Sequence, residues 1–474
     1  MTQRPPASVR LAASLARLLP FADAASATLP LSRLLRLSCF QLSVGLASVL
    51  LTGTLNRVLI VELGLQAWVV AMMVALPLLS APFRALIGFR SDNHKSFLGW
   101  RRSPYIWFGS LLQFGGLSFM PFALLVMTGY GQGPAIVGHI AAGLAFLLVG
   151  AGIHTTQTAG LALANDIAPA ESRPRVVALL YVMLLVGMLA SSLIIGQLLA
   201  SFSPLRLVQV VQGAAALTLV LNVVAMWGQE VRDTTLTAHD RARPRFEESW
   251  RDFARAPGAL RLLAAVGLGS AAFSMQDVLL EPYGGQILRM SVGQTTLLTA
   301  FWAFGALSGF GLAAFWLGKG VDAHRLAGAG AVVGLPAFAL VILSAPLHAS
   351  GLFIAGVAGI GLGSGLFAVG ALTAAMDLGA RSGAGLALGA WGAVQATATG
   401  SAILLGGAIR DGVSALALSG ALGETLRTPV TGYAVVYLTE IALIFATLVA
   451  IGPLARHAGD PTKPKFGLAE FPTN

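Results

Sequence analysis

Residues 176–200 read VVALLYVMLLVGMLASSLIIGQLLA, an apolar stretch without a charged side chain. A helix needs about 20 apolar residues to cross the hydrocarbon core of a bilayer, so this stretch is long enough to span a membrane. Comparable stretches recur along the chain, in which 56% of residues are hydrophobic and only 11% are charged. Soluble domains carry roughly 25% charged residues, so this composition indicates an integral membrane protein.

The hydropathy pattern predicts twelve membrane-spanning helices. We place them at residues 38–61, 67–88, 103–127, 135–163, 176–200, 206–228, 259–281, 294–318, 326–346, 351–376, 385–409 and 430–454. Inside a bilayer every backbone polar group needs an internal partner, and a helix supplies it. We therefore predict an all-α fold with many membrane passes.

The distribution of basic residues predicts the orientation of these helices. If the N-terminus lies in the cytoplasm, most of the 30 lysines and arginines fall in the tails and in cytoplasmic loops. The positive-inside rule therefore favours an even number of spans with both termini in the cytoplasm. The net charge of +10 belongs to these segments, which attract anionic lipid headgroups, so it implies no nucleic-acid partner.

The apolar pattern is interrupted once, by a polar and basic stretch at residues 229–258. We read this stretch as a cytoplasmic linker between two six-helix bundles at residues 38–228 and 259–454. Cytoplasmic tails at residues 1–37 and 455–474 complete the predicted organisation. Two parallel six-helix halves are typical of the major facilitator fold, although other folds also have twelve helices.

The loop after the second span carries a motif of that superfamily. Gly88 and Asp92 are followed by the basic pair Arg101 and Arg102, with a longer spacer than the usual signature. A small residue lets helices approach, and an acid with a basic pair can hold the cytoplasmic side closed. We therefore take these four residues as candidates for a gating latch. The alternative is an ordinary basic loop.

Several longer strings resemble the PucC-type, or bacteriochlorophyll-delivery, branch of the major facilitator superfamily. They are GTLNR at 53–57, APFRALIGFR at 81–90, GWRRSPYIWFG at 99–109, FSMQDVLLEPYGG at 273–285 and LGAWGAVQAT at 388–397. The resemblance implies a twelve-helix protein of the bacterial inner membrane that helps to assemble a light-harvesting complex. It implies transient binding of bacteriochlorophyll, with antenna polypeptides as partners. Reaction-centre components and pigment-synthesis enzymes are further expected partners.

Given that resemblance, some side chains are candidates for pigment binding. A neutral imidazole can ligate the magnesium of a chlorin, an amide is a weaker ligand of the same type, and an indole can flank the macrocycle. The candidates are His154, His139, Gln276, Gln395, Trp302 and Trp391. The polar residues around His154 can equally serve helix–helix hydrogen bonds, and that alternative stays open.

Charged and amide side chains within the spans are costly, so each needs a partner or a task. The candidates are Asn56, Arg57, Arg84, Asp277, Glu281 and Glu440. Helical spacing would put Asp277 and Glu281 on one face of span 7. Such a pair can hold a proton or a cation, or it can pair with Arg57 or Arg289.

Glycines recur at four-residue spacing in the second half of the chain. The pairs are Gly305 and Gly309, Gly361 and Gly365, and Gly385 and Gly389. Such pairs allow helices to pack closely, and we favour packing within one molecule over dimerisation.

The sequence shows no nucleotide-binding glycine loop, no HExxH motif and no nucleophile elbow. Its single cysteine, Cys39, cannot form an internal disulfide, and no metal site is predicted. We therefore expect an assembly factor rather than an enzyme. Two alternatives stay open: a secondary transporter of a small amphipathic solute, and a scaffold that carries no pigment.

Overall fold

The computed structural model describes residues 24–26, 29–79, 87, 91, 94, 99–127, 134–169, 172–232, 255, 257–382 and 384–457. The regular elements of these residues are helices, and no strand occurs among them. The predicted all-α fold is therefore confirmed.

Thirteen longer helical elements and a short 3₁₀ helix, Glu424–Leu426, are defined in the described part of the chain. The longer elements are numbered in chain order. They are α1 Leu31–Glu62, α2 Ala67–Leu79, α3 Ser103–Met127, α4 Ala135–Ile167, α5 Arg173–Leu198, α6 Pro204–Met226, α7 Ala259–Ser274, α8 Leu280–Gln286, α9 Val292–Gly318, α10 Ala323–Ser344, α11 Ser350–Ser382, α12 Ala384–Leu418 and α13 Val430–His457. Ten of them are long and apolar enough to cross a membrane, while α2 and α7 are shorter apolar helices. Each predicted span overlaps one of these elements, although the second is described as a helix only to residue 79 and the seventh is divided between α7 and α8.

The first helix begins earlier than predicted and is irregular in its second part. It starts at Leu31, inside the segment predicted as a cytoplasmic tail, whereas the span was expected from residue 38. Its backbone widens into π-helical turns at Val49–Thr54 and again at Val58–Glu62. Such turns locally change which side chains share a helix face.

The seventh span is broken in its middle. Residues 275–279 form turns between α7 and α8, with Leu279 N–H donating to the Gln276 carbonyl at 2.8 Å. Pro282 in the first turn of α8 explains the break, because its ring excludes the carbonyl four residues before it from regular helix bonding. The break places polar backbone inside an otherwise apolar span.

The described helices form two compact units, each with its own packing. Unit 1 contains residues 1–50, 82–191 and 203–241, and unit 2 contains residues 51–81, 192–202 and 242–474. Most of the 229–258 linker lies outside the described residues, so the predicted division into two six-helix halves stays a prediction.

The core of unit 1 is aliphatic around one aromatic ring. Phe40 on α1 packs over Gly160 on α4, where a Cβ atom would approach its ring to 2.7 Å. Leu34, Leu37 and Leu180 are fully buried in the same cluster. On α3 and α4, Gly109 and Gly152 allow the two backbones to approach closely.

The core of unit 2 is aromatic. The ring of Tyr283 on α8 lies 5.1 Å from that of Phe353, 5.3 Å from that of Tyr433 and 5.7 Å from that of Tyr437. Its hydroxyl donates to the Val341 carbonyl at 3.2 Å, so the polar tip of this buried side chain is satisfied. This cluster fixes the short helix α8 against its neighbours.

Close packing of α9 on α11 also belongs to unit 2. A Cβ atom on Gly305 would lie 2.0 Å from the Ala358 carbonyl oxygen, and one on Gly361 would lie 2.1 Å from that of Trp302. Gly309 and Gly365 make similar approaches along the same pair of helices. Packing within one molecule, as favoured above, is therefore confirmed for these two pairs. For the third pair, Gly385 and Gly389, the surroundings lie outside what the structure describes.

Large apolar side chains cover the outer faces of the helices. Phe122, Leu205 and Val449 are 59%, 68% and 73% exposed, on helices of both units. Exposure of this kind is expected where lipid replaces water as the solvent. Together with the ten long apolar helices, it makes this chain a multi-pass membrane protein.

Candidate functional site

The interior of unit 1 contains a group of buried amides and hydroxyls, which we call the amide cluster: Gln41, Ser43, Gln113, Thr156 and Gln157. Ser43 on α1 donates to Gln113 Oε1 at 3.0 Å, and Gln113 Nε2 on α3 donates to Thr156 Oγ1 at 3.2 Å. Gln157 Nε2 on α4 donates to Gln41 Oε1 at 3.4 Å. Buried amides are normally satisfied on every polar atom, yet Gln41 Nε2 has no acceptor among the described residues.

His154 lies on α4 one turn before Gln157 and is 9% exposed. The other predicted imidazole, His139, is half-buried near the opposite end of the same helix. Both positions agree with the predicted placement on one long helix. Only His154 lies beside the amide cluster.

At one end of unit 1, the side chains of the predicted basic pair are held by one carboxylate. Arg101 Nη2 and Arg102 Nε contact Asp166 Oδ2 at 3.2 and 2.9 Å. Arg102 Nη1 also donates to Ser91 Oγ at 2.6 Å. The other two residues of the predicted latch, Gly88 and Asp92, lie outside the described residues, as does Arg84. The latch stays a prediction.

Glu230 was missed by the sequence analysis and caps the start of α3. Its Oε1 accepts from the backbone N–H groups of Arg101 and Arg102 at 2.6 and 2.9 Å, and its Oε2 accepts from that of Ser103 at 2.8 Å. A carboxylate is stabilised there because the first N–H groups of a helix have no partner within it. An acid directly after an apolar span was the available signal.

Unit 2 holds a second buried polar group, the carboxylate cluster: Asn56, Gln276, Asp277, Glu281 and Glu440. The break in span 7 creates it, because the free N–H of Gln276 donates to Glu440 Oε1 on α13 at 2.8 Å. Gln276 Nε2 donates to Asp277 Oδ1 at 3.4 Å, and Asn56 Nδ2 to the Asp277 carbonyl at 3.4 Å. These bonds join α1, the turn between α7 and α8, and α13 at one place.

Glu281 is fixed from two sides. Thr299 on α9 donates to its Oε1 at 2.8 Å. On the other side, Gly53 of α1 leaves room for the carboxylate, since a Cβ atom there would lie within 3.2 Å of its carboxyl carbon. The π-helical turn at Val49–Thr54 contains Gly53, so the irregular part of α1 is where α1 meets α8.

One expectation for these acids is wrong. Asp277 and Glu281 do not share a helix face by regular spacing, because Asp277 lies in the turn and Glu281 in α8. Arg57, expected as an ion-pair partner, makes its direct contacts with Glu62 at 2.8 Å and the Met290 carbonyl at 3.3 Å, while its charge attracts Glu281 from farther away. Its guanidinium packs on Gly285, where a Cβ atom would lie 3.0 Å away. The alternative partner, Arg289, is exposed with φ of 55°.

A second basic residue of unit 2 that the sequence analysis left aside is Arg410. Its guanidinium binds Asp411 at 2.7 Å and Gln286 at 2.6 Å, and it lies 4.7 Å from the centre of the Tyr433 ring. Asp411 Oδ2 in turn accepts from the Trp68 N–H at 2.8 Å, near the start of α2. This network joins α2, α8, α12 and α13.

The remaining pigment candidates belong to unit 2 and are not members of the amide cluster. Gln276 belongs to the carboxylate cluster, where the hydrogen bonds described above hold it. Trp302 on α9 and Trp391 on α12 are partly buried, and neither indole Nε1 has an acceptor among the described residues. Gln395 is partly buried on α12.

Comparison with known sequences gives extended matches. The sequence model of a family described as "PUCC protein" matches residues 54–459. A Rhodobacter capsulatus protein described as "Uncharacterized protein in puhA-bchM intergenic region" is 57% identical over 463 residues, covering 96% of this chain and 97% of that protein. "Protein PucC" of Rhodovulum sulfidophilum is 56% identical over 404 residues, covering 84% and 89%. "Bacteriochlorophyll synthase 44.5 kDa chain" of Rhodobacter capsulatus is more distant, at 30% identity over 81% and 88%.

Comparison with solved structures identifies the fold. A bacterial homologue of the human lysosomal transporter Spinster, in an inward-facing and unoccupied conformation, matches with a TM-score of 0.67. It is 15% identical, and the match covers 90% of this chain and 96% of the transporter. The nucleoside transporter NupG, as its D323A mutant, matches with a TM-score of 0.64 at 13% identity, over 89% and 99%. The transporter-like architecture expected from the sequence is therefore confirmed.

Proposed function

This chain belongs to the PUCC protein family, and we propose that it is an assembly factor for a bacterial light-harvesting antenna complex. The observation that carries the proposal is the extent of the match. The family model runs from α1 to the end of α13, and a PucC protein is 56% identical over most of both chains. We place the protein in the bacterial inner membrane with both termini in the cytoplasm, as the basic loops favour.

We further propose that the protein binds bacteriochlorophyll and hands it to antenna polypeptides as they enter the membrane. A relative at 30% identity is named as a chain of bacteriochlorophyll synthase, which supports a pigment within this family. When bound, bacteriochlorophyll would offer a magnesium ion that an imidazole can ligate and carbonyl groups that can accept hydrogen bonds. The protein's own part is to bind the pigment, orient it and release it.

The amide cluster of unit 1 fits such a pigment. His154 is a buried imidazole of the type that ligates magnesium in a macrocycle. Beside it, the amide group of Gln41 is fully buried, and its Nε2 has no acceptor among the described residues. A pigment carbonyl would supply that acceptor. We therefore assign His154 the role of magnesium ligand and Gln41 that of hydrogen-bond donor to the pigment.

A competing function is secondary transport of a small amphipathic solute. The similarity to Spinster-type and nucleoside transporters and the buried carboxylates of unit 2 favour it. A scaffold that packs against antenna helices without pigment is the third candidate. Pigment delivery and the pigment-free scaffold differ in whether the purified protein contains a chlorin.

The assembly role is tested by deleting the gene in a photosynthetic strain without a related protein. We expect less assembled antenna, measured by its near-infrared absorbance, while free pigment and pigment-synthesis enzymes persist. Complementation with the wild-type chain is expected to restore the antenna. Normal antenna levels in the deletion strain would rule out the assembly role.

Pigment binding is tested separately on protein purified in a mild detergent. We expect a chlorin absorbance band in the wild type, loss of most of this band in His154→Ala, and retention of it in His139→Ala. The His139 variant is the matched control because both imidazoles lie on α4. A colourless wild type that still supports antenna assembly would favour the pigment-free scaffold.

A further inference from the structure

The carboxylate cluster of unit 2 contains several buried acceptor atoms without a donor. Glu281, Glu440, Gln276 and Asn56 are each no more than 1% exposed. Among the described residues, Glu281 Oε2, Glu440 Oε2, Gln276 Oε1 and Asn56 Oδ1 have no hydrogen-bond partner. All four atoms are oxygens, so the cluster lacks hydrogens rather than acceptors. Buried polar atoms are rarely left unpaired, and four in one cluster require an explanation.

The amide groups cannot remove this deficit by turning over. Gln276 Nε2 already donates to Asp277, and Asn56 Nδ2 donates to the carbonyls of Thr52 and Asp277. Reversing either amide would exchange an unpaired oxygen for an unpaired N–H group and break these contacts. Two further buried donors of unit 2, Arg57 Nε and the Tyr437 hydroxyl, also have no hydrogen-bond partner among the described residues, so neither supplies the missing hydrogens. Carboxyl groups that carry protons, or a bound cation, are the sources that remain.

The charges around the cluster also indicate that hydrogens or cations are missing from it. Ionised, Asp277, Glu281 and Glu440 would place three negative charges in the interior of unit 2. The charge of Arg57 on α1 attracts Glu281, but its guanidinium forms its ion pair with Glu62 at 2.8 Å. On the other elements, Thr299 of α9 and the Tyr437 phenol of α13 are neutral. An ionised carboxylate is expensive to bury without a counter-charge, so the cluster is short of positive charge.

We propose that the carboxylate cluster is a proton-binding site, with the carboxyl groups of Glu281 and Glu440 as the groups that bind the protons. A protonated carboxyl group is a donor, so each bound proton supplies one missing hydrogen. Two protons would turn two of the four oxygens into donors. Gln276 is adjacent to Glu440 through its own N–H, and its Oε1 is one of the two oxygens that remain acceptors.

This site goes beyond the assembly role and does not depend on it. It uses residues of α1, the turn between α7 and α8, α8 and α13, whereas the pigment assignment rests on the amide cluster of unit 1. The broken span contributes directly, because the backbone turn at residues 275–279 frees the Gln276 N–H that binds Glu440. A regular helix through this segment would use that group internally.

The proposal is tested by infrared spectroscopy of the purified full-length protein at neutral pH. A protonated carboxyl group absorbs above the amide I band and shifts downward in D₂O, whereas a carboxylate does neither. We expect such a band in the wild type and a partial loss of it in Glu281→Gln and in Glu440→Gln. Glu424→Gln is the matched control, because the Glu424 side chain is 83% exposed, and it should leave the band unchanged.

Several outcomes would overturn the proposal. One is a wild-type spectrum without the band, and another is a band that persists unchanged in both folded glutamine variants. A third outcome combines two changes when choline chloride is replaced by sodium chloride: the band disappears and the unfolding temperature rises. That result would show that the cluster binds a metal cation rather than protons. If the glutamine variants do not fold, Glu440→Asp retains the carboxyl group in a new position. An unshifted band in that variant would also contradict the assignment.

Discussion

At the scale of single residues, a few carboxylates hold helix ends in place. Glu230 binds three consecutive N–H groups, those of Arg101, Arg102 and Ser103, where α3 begins, and Asp166 at the end of α4 binds the basic pair. Each bond joins segments that are distant in sequence within unit 1. Such charge-assisted hydrogen bonds are stronger than neutral ones, so these acids fix the ends of helices whose middles are held by apolar packing.

The cap on α3 gives a first prediction. Glu230→Gln keeps the shape of the side chain but removes its charge and one acceptor oxygen, so we expect a loss of about 1–2 kcal/mol in stability. Thermal unfolding in detergent measures it. Glu424→Gln is the control, because its exposed pair with Arg427 should contribute little. Equal unfolding temperatures for the wild type and both variants would show that the cap is dispensable.

The partner of Arg57 gives a second prediction. Its side chain is 5% exposed and that of Glu62 is 38% exposed, so solvent partly screens their attraction. We expect Arg57→Ala and Glu62→Ala to be non-additive, with a coupling energy of about 1 kcal/mol in a double-mutant cycle. A cycle of Arg57 with Asp277 should show a smaller coupling. A larger coupling energy between Arg57 and Asp277 than between Arg57 and Glu62 would instead support an ion pair with Asp277, which the structure does not show.

At the scale of helices, irregular backbone and missing side chains position the polar groups. The π-helical turns of α1, the break between α7 and α8, and Gly53 all lie around the carboxylate cluster. The regular helices α9 and α11 pack beside them through glycines that let backbone touch backbone. Rigid neighbours of this kind can hold an irregular segment in one conformation.

Close packing of α9 on α11 gives a third prediction. Gly305→Ala would place a methyl group 2.0 Å from a backbone oxygen, so the helices must separate. Overpacking of this kind typically costs about 1–3 kcal/mol. On the same helix, Gly311 has open space around its Cβ position, so Gly311→Ala should be neutral or mildly stabilising. Similar unfolding temperatures for the two variants would contradict this account.

The helices were predictable because hydropathy is a property of about 20 consecutive residues, which averaging detects well. The break at residues 275–279 was not predictable from hydropathy, because a five-residue turn hardly changes the mean hydropathy of its span. Pro282 was the available signal in the sequence. The pairing of Arg57 with Glu62 occurs where the backbone of α1 forms π-helical turns, which hydropathy does not reveal. The partner of Arg101 depends on which helices pack together, which a single sequence does not reveal either. His154 and Glu440 were identified as candidates because buried polar residues are conspicuous in apolar spans, whereas their surroundings required the fold.

At the scale of the whole molecule, the loops on either side of a helix differ in charge. The loop before α10 has Lys319 and is followed by Arg325, whereas residues 345–349 after α10 contain no lysine or arginine. Basic loops are retained in the cytoplasm, so this contrast orients α10 and, through the alternation of spans, both termini. The proposed cytoplasmic termini therefore depend on a local feature that a labelling experiment can reach.

The last prediction concerns that orientation. In a Cys39→Ser background, we expect Leu347→Cys to react with a membrane-impermeant maleimide on intact spheroplasts and Val321→Cys to react only after the membrane is opened. Both positions are exposed, at 61% and 37%, and a single helix of 22 residues separates them, so they serve as controls for one another. Labelling in the opposite order would place the termini outside and contradict the positive-inside assignment. Equal labelling of both positions before opening would contradict the passage of α10 across the membrane.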